Sequence, residues 1–435
     1  MIRKLCALGV ALLLAACGGG GGGSASSSSG TTTTPPPPPP AATLTNFTTL
    51  TVDGGPAILD TGPNAFTDND TAFVSVTLCA PGSTTNCQTI DHVLVDTGST
   101  GLRVFASVLT PSLLAALPNE TDPNANPVGE CYSFVDGFIF GSVRTANFQI
   151  GGESVNNMPL QVIADSGVFS SPPKSCTAGG GTSENTVQTF GANGIIGIGA
   201  MQTDCDTFCE VAGGSGAAIY YDCPSGGCST IIARNASTTA PFQQVPNPVA
   251  AMAVDNNGTI VSLAAAPSGG AATGTGTLFF GIGTETNNAL GSATVMTTNS
   301  EAFLTAIYKN QTLANSFIDS GSSAFFFIDS TITLCTSADF TGFYCPASPL
   351  NLTPTLEGQN GASKSAAFTL NNAQTILSTA NAVAPGLGAN PDDISTFQPI
   401  PSSFDFGLPF FYGRPIFTAI EGRNAGGTTG PYFAY

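Results

Sequence analysis

Positive charge and histidine are the scarcest features of this chain of 435 residues. It has 10 Lys and Arg against 28 Asp and Glu, so its formal net charge is -18 at pH 7. So acidic a chain repels phosphate groups, which excludes nucleic acid and anionic lipid surfaces from the partners that we expect. His92 is the only histidine, so a metal centre with several histidine ligands is excluded as well. We expect no metal and no other cofactor.

Long apolar runs are also absent, except at the N-terminus. Residues 5–16 are apolar and follow Arg3 and Lys4, which is the layout of an export signal too short to span a bilayer. The run ends in Leu-Ala-Ala-Cys, which resembles a bacterial lipobox. We therefore predict a signal peptide over residues 1–16 and a lipid on Cys17, and the absence of Asp at position 18 favours the outer membrane, on its periplasmic or outer side. The alternative is an ordinary secretory signal followed by a chance cysteine.

Low-complexity sequence follows over residues 17–42, with runs of Gly, Ser, Thr and Pro. Such segments bury no apolar surface, so we predict a disordered tether between Cys17 and the folded body. The body is too long for one small core, and we predict two lobes over 43–245 and 246–435. Its short apolar stretches, punctuated by Gly, Pro and Asn, are typical of a mostly β fold.

Ten of the 12 cysteines remain after Cys6 leaves with the signal and Cys17 takes a lipid. An even number in an exported chain indicates up to five disulfides. Local spacing suggests two pairs, Cys79 with Cys87 and Cys335 with Cys345, and Cys131 is a candidate partner for Cys176. Four more thiols form a cluster in which a zinc site is the alternative to disulfides, and their pairing stays open: Cys205, Cys209, Cys223 and Cys228.

Two matching segments carry the candidate chemistry. Residues 93–104 read VLVDTGSTGLRV and residues 316–327 read SFIDSGSSAFFF, so each places an Asp-(Thr/Ser)-Gly-Ser turn between two apolar strands. These segments resemble those of the pepsin-like aspartic proteases, whose two β lobes each supply one such loop to the cleft between them. The resemblance implies a bilobal pepsin-like acid-protease fold with Asp96 and Asp319 as catalytic residues.

The residue types at these turns suit the activation of water. Glycine lets the backbone turn beside the carboxylate, and a following hydroxyl can hydrogen-bond to the opposite loop. Two carboxyl groups that lie close together cannot both ionise, so one acts as a base and the other as an acid. The resemblance implies that the neighbouring residues support the pair: Thr97, Gly98, Ser99, Ser320, Gly321 and Ser322.

Further along each lobe the family has an apolar-apolar-Gly element beneath the catalytic loop. Residues 194–199 (GIIGIG) match it in the first lobe, and residues 410–417 (FFYGRPIF) match it less closely in the second, with Gly197 and Gly413 as the glycines. A nucleotide-binding loop is the rival interpretation of 194–199, but it lacks a phosphate-binding lysine. Another Asp-Thr-Gly at 60–62 lacks the second apolar strand, and we interpret it as a plain turn.

The flap is where this chain departs from the family. The family's flap hairpin bears a tyrosine, and alignment on Gly137 places Phe134 there, with Tyr132 and Asp136 nearby. Arg103 occupies the usual position of a tryptophan, and the chain contains none. We expect Tyr132, or contact of Arg103 with an aromatic ring, to substitute.

Two functions remain open from the sequence. The first is an aspartic endopeptidase of the bacterial cell envelope, which binds extended peptides with apolar side chains, is anchored through the lipid on Cys17 and acts as a monomer. The second is a non-catalytic binding or structural lipoprotein that keeps the fold. The best match overall is to an uncharacterised bacterial lipoprotein family that forms a distant branch of the pepsin-like superfamily.

Overall fold

The computed structural model of the protein describes residues 45–59, 68–178, 181–205, 219–230, 244–377, 380–395 and 397–435. The predicted signal peptide, Cys17 and the tether lie outside the described residues. So does the Asp-Thr-Gly turn at 60–62. Leu44–Tyr435 forms one compact unit.

Strands dominate the described residues. Those that precede residue 245 are β1 (Phe47–Val52), β2 (Ala72–Cys79), β3 (Cys87–Asp96), β4 (Thr100–Phe105), β5 (Val128–Ser133), β6 (Gly137–Ile150), β7 (Glu153–Ile163), β8 (Thr182–Ser183), β9 (Gly194–Ile198), β10 (Tyr220–Asp222) and β11 (Ser229–Thr230).

Most of the strands that follow residue 245 are short. They are β12 (Gly258–Leu263), β13 (Gly274–Phe280), β14 (Val295–Thr297), β15 (Leu304–Tyr308), β16 (Gln311–Ile318), β17 (Phe325–Phe326), β18 (Leu350–Leu352), β19 (Thr355–Glu357), β20 (Ser363–Ser365), β21 (Phe368–Leu370), β22 (Gly388–Ala389), β23 (Asp405–Phe406), β24 (Ile416–Ala419), β25 (Asn424–Ala425), β26 (Thr428–Thr429) and β27 (Tyr432–Ala434).

Helices are few and short. The α-helices are α1 (Pro111–Ala116), α2 (Lys174–Thr177), α3 (Val187–Phe190) and α4 (Ala373–Ile376). The 3-10 turns are Ala106–Val108, Gly167–Phe169, Ala338–Phe340, Pro391–Asp393 and Leu408–Phe410. Within the described ranges, no helix is long and apolar enough to cross a bilayer.

Two sheets hold the candidate site. A 16-stranded sheet runs in the order β11-β10-β5-β6-β7-β4-β9-β3-β2-β1-β13-β12-β24-β27-β14, with β8 beside β6. A seven-stranded sheet has the order β20-β19-β15-β16-β23-β17-β22. We call the part around β3 and β9 the first lobe and the part around β16 and β23 the second lobe. The prediction of a mostly β fold is confirmed, while the boundary between lobes at 245 and 246 stays a prediction.

The two Asp-containing segments of the sequence analysis stand at equivalent places in these sheets. β3 pairs in parallel with β9, with Asp96 opposite Gly197, and β4 returns antiparallel to β9. β16 pairs in parallel with β23, and β17 returns antiparallel to β23. β4 and β9 are buried along their whole length because neighbouring layers cover both faces, whereas β3 and β16 are buried mainly toward the ends that lead into the Asp residues. Each Asp therefore sits at the end of a rigid central strand.

Disulfides tie down the strand ends and loops. The predicted pairs Cys79–Cys87, Cys131–Cys176 and Cys335–Cys345 are confirmed. In the four-cysteine cluster, Cys223 bonds Cys228, and Cys205 is disulfide-bonded too. The thiols that a zinc ion would need are thus consumed, which excludes the zinc alternative. Cys209 lies outside the described residues.

Candidate active site

The first loop holds the Asp96 side chain through backbone donors. Asp96 ends β3 and is buried. Its Oδ1 accepts hydrogen bonds from the N–H groups of Gly98, at 2.7 Å, and Ser99, at 3.2 Å. The Ser99 hydroxyl itself has no hydrogen-bond partner among the described residues. Ser99 therefore supports the carboxylate by hydrogen bonding through its backbone N–H and not through its side chain.

The second loop holds Asp319 in a similar way but adds a side-chain donor. The Gly321 N–H donates to Asp319 Oδ1 at 2.7 Å, which repeats the Gly98 contact. The Ser322 hydroxyl lies 3.0 Å from Asp319 Oδ2, as expected from the sequence. It also lies 2.6 Å from Oδ2 of Asp405, a buried acid that the sequence did not single out.

The two loops face each other so closely that each glycine borders the opposite carboxyl group. A Cβ atom on Gly98 would lie 2.6 Å from Cγ and Oδ2 of Asp319. A Cβ atom on Gly321 would lie 2.6 Å from Oδ1 of Asp96. Only glycine leaves room for both carboxyl groups, so the motif's glycines serve mutual approach as well as the turn.

A reciprocal set of hydrogen bonds joins the loops behind the carboxyl groups. The Ser320 N–H donates to Thr97 Oγ1 at 2.9 Å, and the Thr97 N–H donates to Ser320 Oγ at 3.1 Å. Each hydroxyl then donates across to the other lobe, Ser320 to the carbonyl of Val95 at 2.7 Å and Thr97 to that of Ile318 at 3.3 Å. All four groups are buried, so the pairing fixes the distance between the two Asp residues.

Proximity to other carboxyl groups decides the protonation of Asp319. Burial raises its pKa well above the ordinary value for Asp, and the charges of Asp96 and Asp405 raise it further. A hydrogen bond between Asp319 and Asp96 has the same effect. Because two buried negative charges this close repel each other, the two carboxyl groups do not ionise together.

The structure corrects the second apolar-apolar-Gly element. In the first lobe Gly197 borders the catalytic turn, where a Cβ would lie 2.7 Å from Ser99 Oγ, as predicted. In the second lobe the equivalent residue is Gly407, whose Cβ would lie 2.5 Å from the Ser322 carbonyl. Gly413 instead lies beside Ala265. The prediction of Gly413 was wrong because it followed the apolar pattern of the sequence FFYG. The strand that pairs in parallel with β16 is β23, which contains Asp405 and therefore does not match that pattern.

The flap is the hairpin of β5 and β6. Tyr132 pairs with Ile139, and the Phe134 N–H closes the turn on the Gly137 carbonyl at 2.8 Å. The Arg103 guanidinium carbon lies 3.7 Å from the centre of the Tyr132 ring. Arg103 therefore contacts an aromatic ring, Tyr132, at the base of the flap.

Arg103 is fully buried and paired. Its Nη2 lies 2.6 Å from Glu130 Oε1 and 3.0 Å from Asp204 Oδ2, and its Nη1 donates to the carbonyl of Thr100. Burial on its own lowers the pKa of the guanidinium, but the charges of Glu130, Tyr132 and Asp204 raise it overall. Sequence reasoning missed Glu130 and Asp204, which lie far from Arg103 along the chain.

The flap tip reaches the opposite lobe. The Gln398 N–H donates to the Val135 carbonyl at 2.6 Å, so the tip is bonded across the cleft. Next to it, Gly137 borders the carboxyl group of Glu184. Burial raises the pKa of Glu184 to about 8, and the charge of Asp136 contributes. Burial likewise raises the pKa of Asp136, with a contribution from Asp96.

The cleft beneath the flap has a volume of about 1130 Å³. Its described lining combines aromatic rings with acids and contains no Lys, Arg or His. The carboxyl groups come from Asp68, Asp96, Asp136, Glu184, Asp319 and Asp339. The space is large enough for a peptide segment, and its walls combine apolar rings with carboxyl groups. Across the described ranges, no group of three or more His, Cys, Asp or Glu is arranged to hold a metal ion.

Comparison with known proteins identifies a family whose function is unknown. Residues 42–435 match the family described as "Protein of unknown function (DUF3443)". The chain belongs to this family. No curated protein matches this DUF3443 chain. Among solved structures it is similar to the aspartic proteinase from Irpex lacteus, with 15% sequence identity, a TM-score of 0.45, and coverage of 84% of this chain and 93% of that one.

Proposed function

We propose that this DUF3443 protein is an aspartic-type endopeptidase that uses Asp96 and Asp319 to activate water. One observation carries the proposal: the two carboxyl groups lie at the ends of equivalent strands, and each lies against the glycine of the opposite loop, so that they face each other at close range. An arrangement that holds two acids together with one proton between them supplies a base and an acid to the same water molecule.

The proton assignment follows from the surroundings of each acid. Asp319 has two neighbouring acids and a raised pKa, so it is the protonated member, and Asp96 is the base. In the first step Asp96 takes a proton from water as the water oxygen bonds to the peptide carbonyl carbon. Asp319 gives its proton to the carbonyl oxygen, which becomes a hydroxyl. In the second step the C–N bond breaks, the nitrogen takes the proton from Asp96, and a hydroxyl proton returns to Asp319.

The cleft determines the substrate class. An extended peptide fits a long groove between β lobes, where its backbone can hydrogen-bond to the flap. The aromatic lining favours apolar side chains next to the cut. A lining rich in carboxyl groups and without described cations disfavours acidic side chains. A signal peptide over residues 1–16 and a lipid on Cys17 would place this activity at the outer membrane.

A cleavage assay tests the proposal. Residues 43–435, with disulfides intact, are incubated with a mixture of denatured proteins from pH 3 to 8, beside Asp96→Asn and Asp319→Asn. We expect cleavage on the acidic side of neutral that either substitution abolishes, with all three proteins showing the same circular dichroism spectrum. Cleavage that survives in either variant, or a maximum at strongly alkaline pH, contradicts the carboxyl pair.

A non-catalytic binding module is the second candidate, and the closed flap favours it. The bond between Gln398 and Val135 holds the flap tip against the opposite wall. If the cleft serves binding alone, the folded wild-type protein retains peptides from the same digest mixture without cutting them. Cleavage that depends on both Asp residues rejects this candidate.

A further inference from the structure

Asp405 is a third carboxyl group behind the candidate pair. It is 5% exposed, and its Oδ2 lies 2.6 Å from the Ser322 hydroxyl, which is 3.0 Å from Asp319 Oδ2. The other oxygen, Oδ1, has no hydrogen-bond partner in the part of the chain that the structure describes. Asp405 thus connects to the site through Ser322 alone.

Among the described residues around Asp405, no cation compensates its charge. On β23 it pairs with Phe317 of β16 and with Phe326 of β17, and β22 beyond contains only Gly388 and Ala389. The charged groups that act on it and on Asp319 are carboxyl groups, with Asp96 at the end of β3. Burial raises the pKa of Asp405 well above its ordinary value, and the charge of Asp96 adds to this effect.

Ser322 lies between the carboxyl groups of Asp319 and Asp405 and contacts both. Its hydroxyl has one hydrogen, so it donates to one carboxyl oxygen at a time. Close contact with both Asp319 and Asp405 is satisfied when one of these acids is protonated and donates to the Ser322 oxygen, while Ser322 donates to the other. Ser322 therefore links two acids that can exchange the role of proton holder by reversing two hydrogen bonds.

We propose that Asp405 is a positioning residue that stores a proton for Asp319 and so extends activity toward less acidic pH. This inference rests on the proposed peptidase function. When the pair of Asp319 and Asp405 loses one of its two protons, the remaining proton is shared through Ser322, and Asp319 keeps it in part of the molecules. Loss of the last proton would place three negative charges, on Asp96, Asp319 and Asp405, in one buried site. Their repulsion shifts the loss of that proton to still higher pH.

The pH profile of kcat/KM separates this role from a structural one. In Asp405→Asn we expect the alkaline limb of the kcat/KM profile to move about one pH unit lower, while the acidic limb stays unchanged. At pH values above the alkaline limb, kcat/KM should then be about tenfold below that of wild type. Ser322→Ala cuts the same link, so it should give the same shift, and the double variant should shift no further. Ser99→Ala is the matched control, because Ile195 occupies the place of Asp405 in the first lobe, and its alkaline limb should stay in place.

A measurement without substrate keeps the two proposals distinguishable. The pH dependence of unfolding counts the protons that folding takes up, and Asp405→Asn should lower this number by about one between pH 4 and 8. If wild type does not cleave but this change occurs, the peptidase proposal fails and the stored proton stands. If wild type cleaves and Asp405→Asn leaves its alkaline limb in place, or if the two single shifts add, the inference is overturned.

Discussion

The loops that carry Asp96 and Asp319 have the same backbone hydrogen bonds, but the buried charged residues behind them lie in different places. In each loop the N–H of the glycine two residues after the Asp donates to that Asp at 2.7 Å, and each loop gives one hydroxyl to the other. Behind the first loop, Arg103 lies opposite Ile195 in the strand pair. At the equivalent positions of the second lobe, Phe326 lies opposite Asp405.

This difference teaches how two similar lobes give two acids different roles. The first lobe uses its buried charge to hold the flap, because Arg103 contacts Tyr132 and two acids. The second lobe places its charge against Ser322, and the pKa of Asp319 rises as a result of burial and neighbouring acids. The hydrogen bonds between the loops set the distance between Asp96 and Asp319. The charged residues behind the loops determine which of the two acids keeps the proton.

Removing the buried charge of the first lobe should have the largest effect on stability. Arg103→Met leaves Glu130 and Asp204 buried without a cation, so we expect the free energy of unfolding to fall by about 3–5 kcal/mol. Chemical denaturation at pH 7 measures it. Arg423→Met, which removes a hydrogen bond to the carbonyl of Ala250, is the control and should cost less than about 1 kcal/mol. Equal costs would show that the charge cluster of the first lobe has no special weight.

Breaking the close approach of the loops should affect the rate next. In Gly98→Ala and Gly321→Ala the new methyl group displaces the opposite carboxyl group, so we expect kcat/KM to fall about 100-fold in both. Gly269→Ala is the control, since a Cβ there meets nothing within 4 Å. A loss in only one of the two variants would contradict the symmetric geometry.

The raised pKa of Asp319 predicts a gain in stability when the acid is removed. Above pH about 4 the unfolded chain releases the proton of Asp319 while the folded chain keeps it, so wild-type stability falls as pH rises. The advantage of Asp319→Asn should therefore grow from pH 4 to 7, by at most about 1.4 kcal/mol per unit. Denaturant titrations at several pH values check it, with the exposed Glu301→Gln as control. An advantage that shrinks with pH would contradict the assignment.

The reciprocal hydrogen bonds predict smaller and equal effects. Thr97→Val and Ser320→Ala each remove a hydroxyl that accepts from one backbone N–H and donates to one carbonyl, so each should cost about 1–2 kcal/mol. The control Thr89→Val removes the exposed hydrogen bond between the hydroxyls of Thr77 and Thr89, and it should lower the free energy of unfolding by less than about 0.5 kcal/mol. Thermal unfolding compares the three. A large cost at only one of the two buried positions would show that the loops are not equivalent.

The fold class and the two turns could be predicted because local patterns report them. Apolar strands that end in Asp-Thr-Gly-Ser and Asp-Ser-Gly-Ser place Asp96 and Asp319 at strand ends, and local spacing alone suggested two of the disulfides, Cys79–Cys87 and Cys335–Cys345. The contact of Arg103 with an aromatic ring was also predicted, since the chain has no tryptophan to fill that position.

Features that depend on tertiary pairing could not be predicted. Gly407 and Asp405 lie beside β16 because of a parallel pairing, and an Asp in this strand hides the apolar pattern that would reveal it. The roles of Ser99 and Ser322 differ although both follow the same motif, because their surroundings differ. The position of Glu130 and Asp204 around Arg103 likewise arises from strands and loops that meet only in the folded chain.

Carbon-13 NMR of the aspartate carboxyl groups tests the central claim most directly. The Asp96 and Asp319 signals are assigned by comparing the spectrum with those of Asp96→Asn and Asp319→Asn, and they are followed from pH 3 to 9. We predict that Asp319 titrates well above the ordinary value for Asp, about 3.9, and that its titration moves to lower pH in Asp96→Asn. Independent titration of both acids near pH 4, unchanged by either substitution, would contradict a pair that shares one proton.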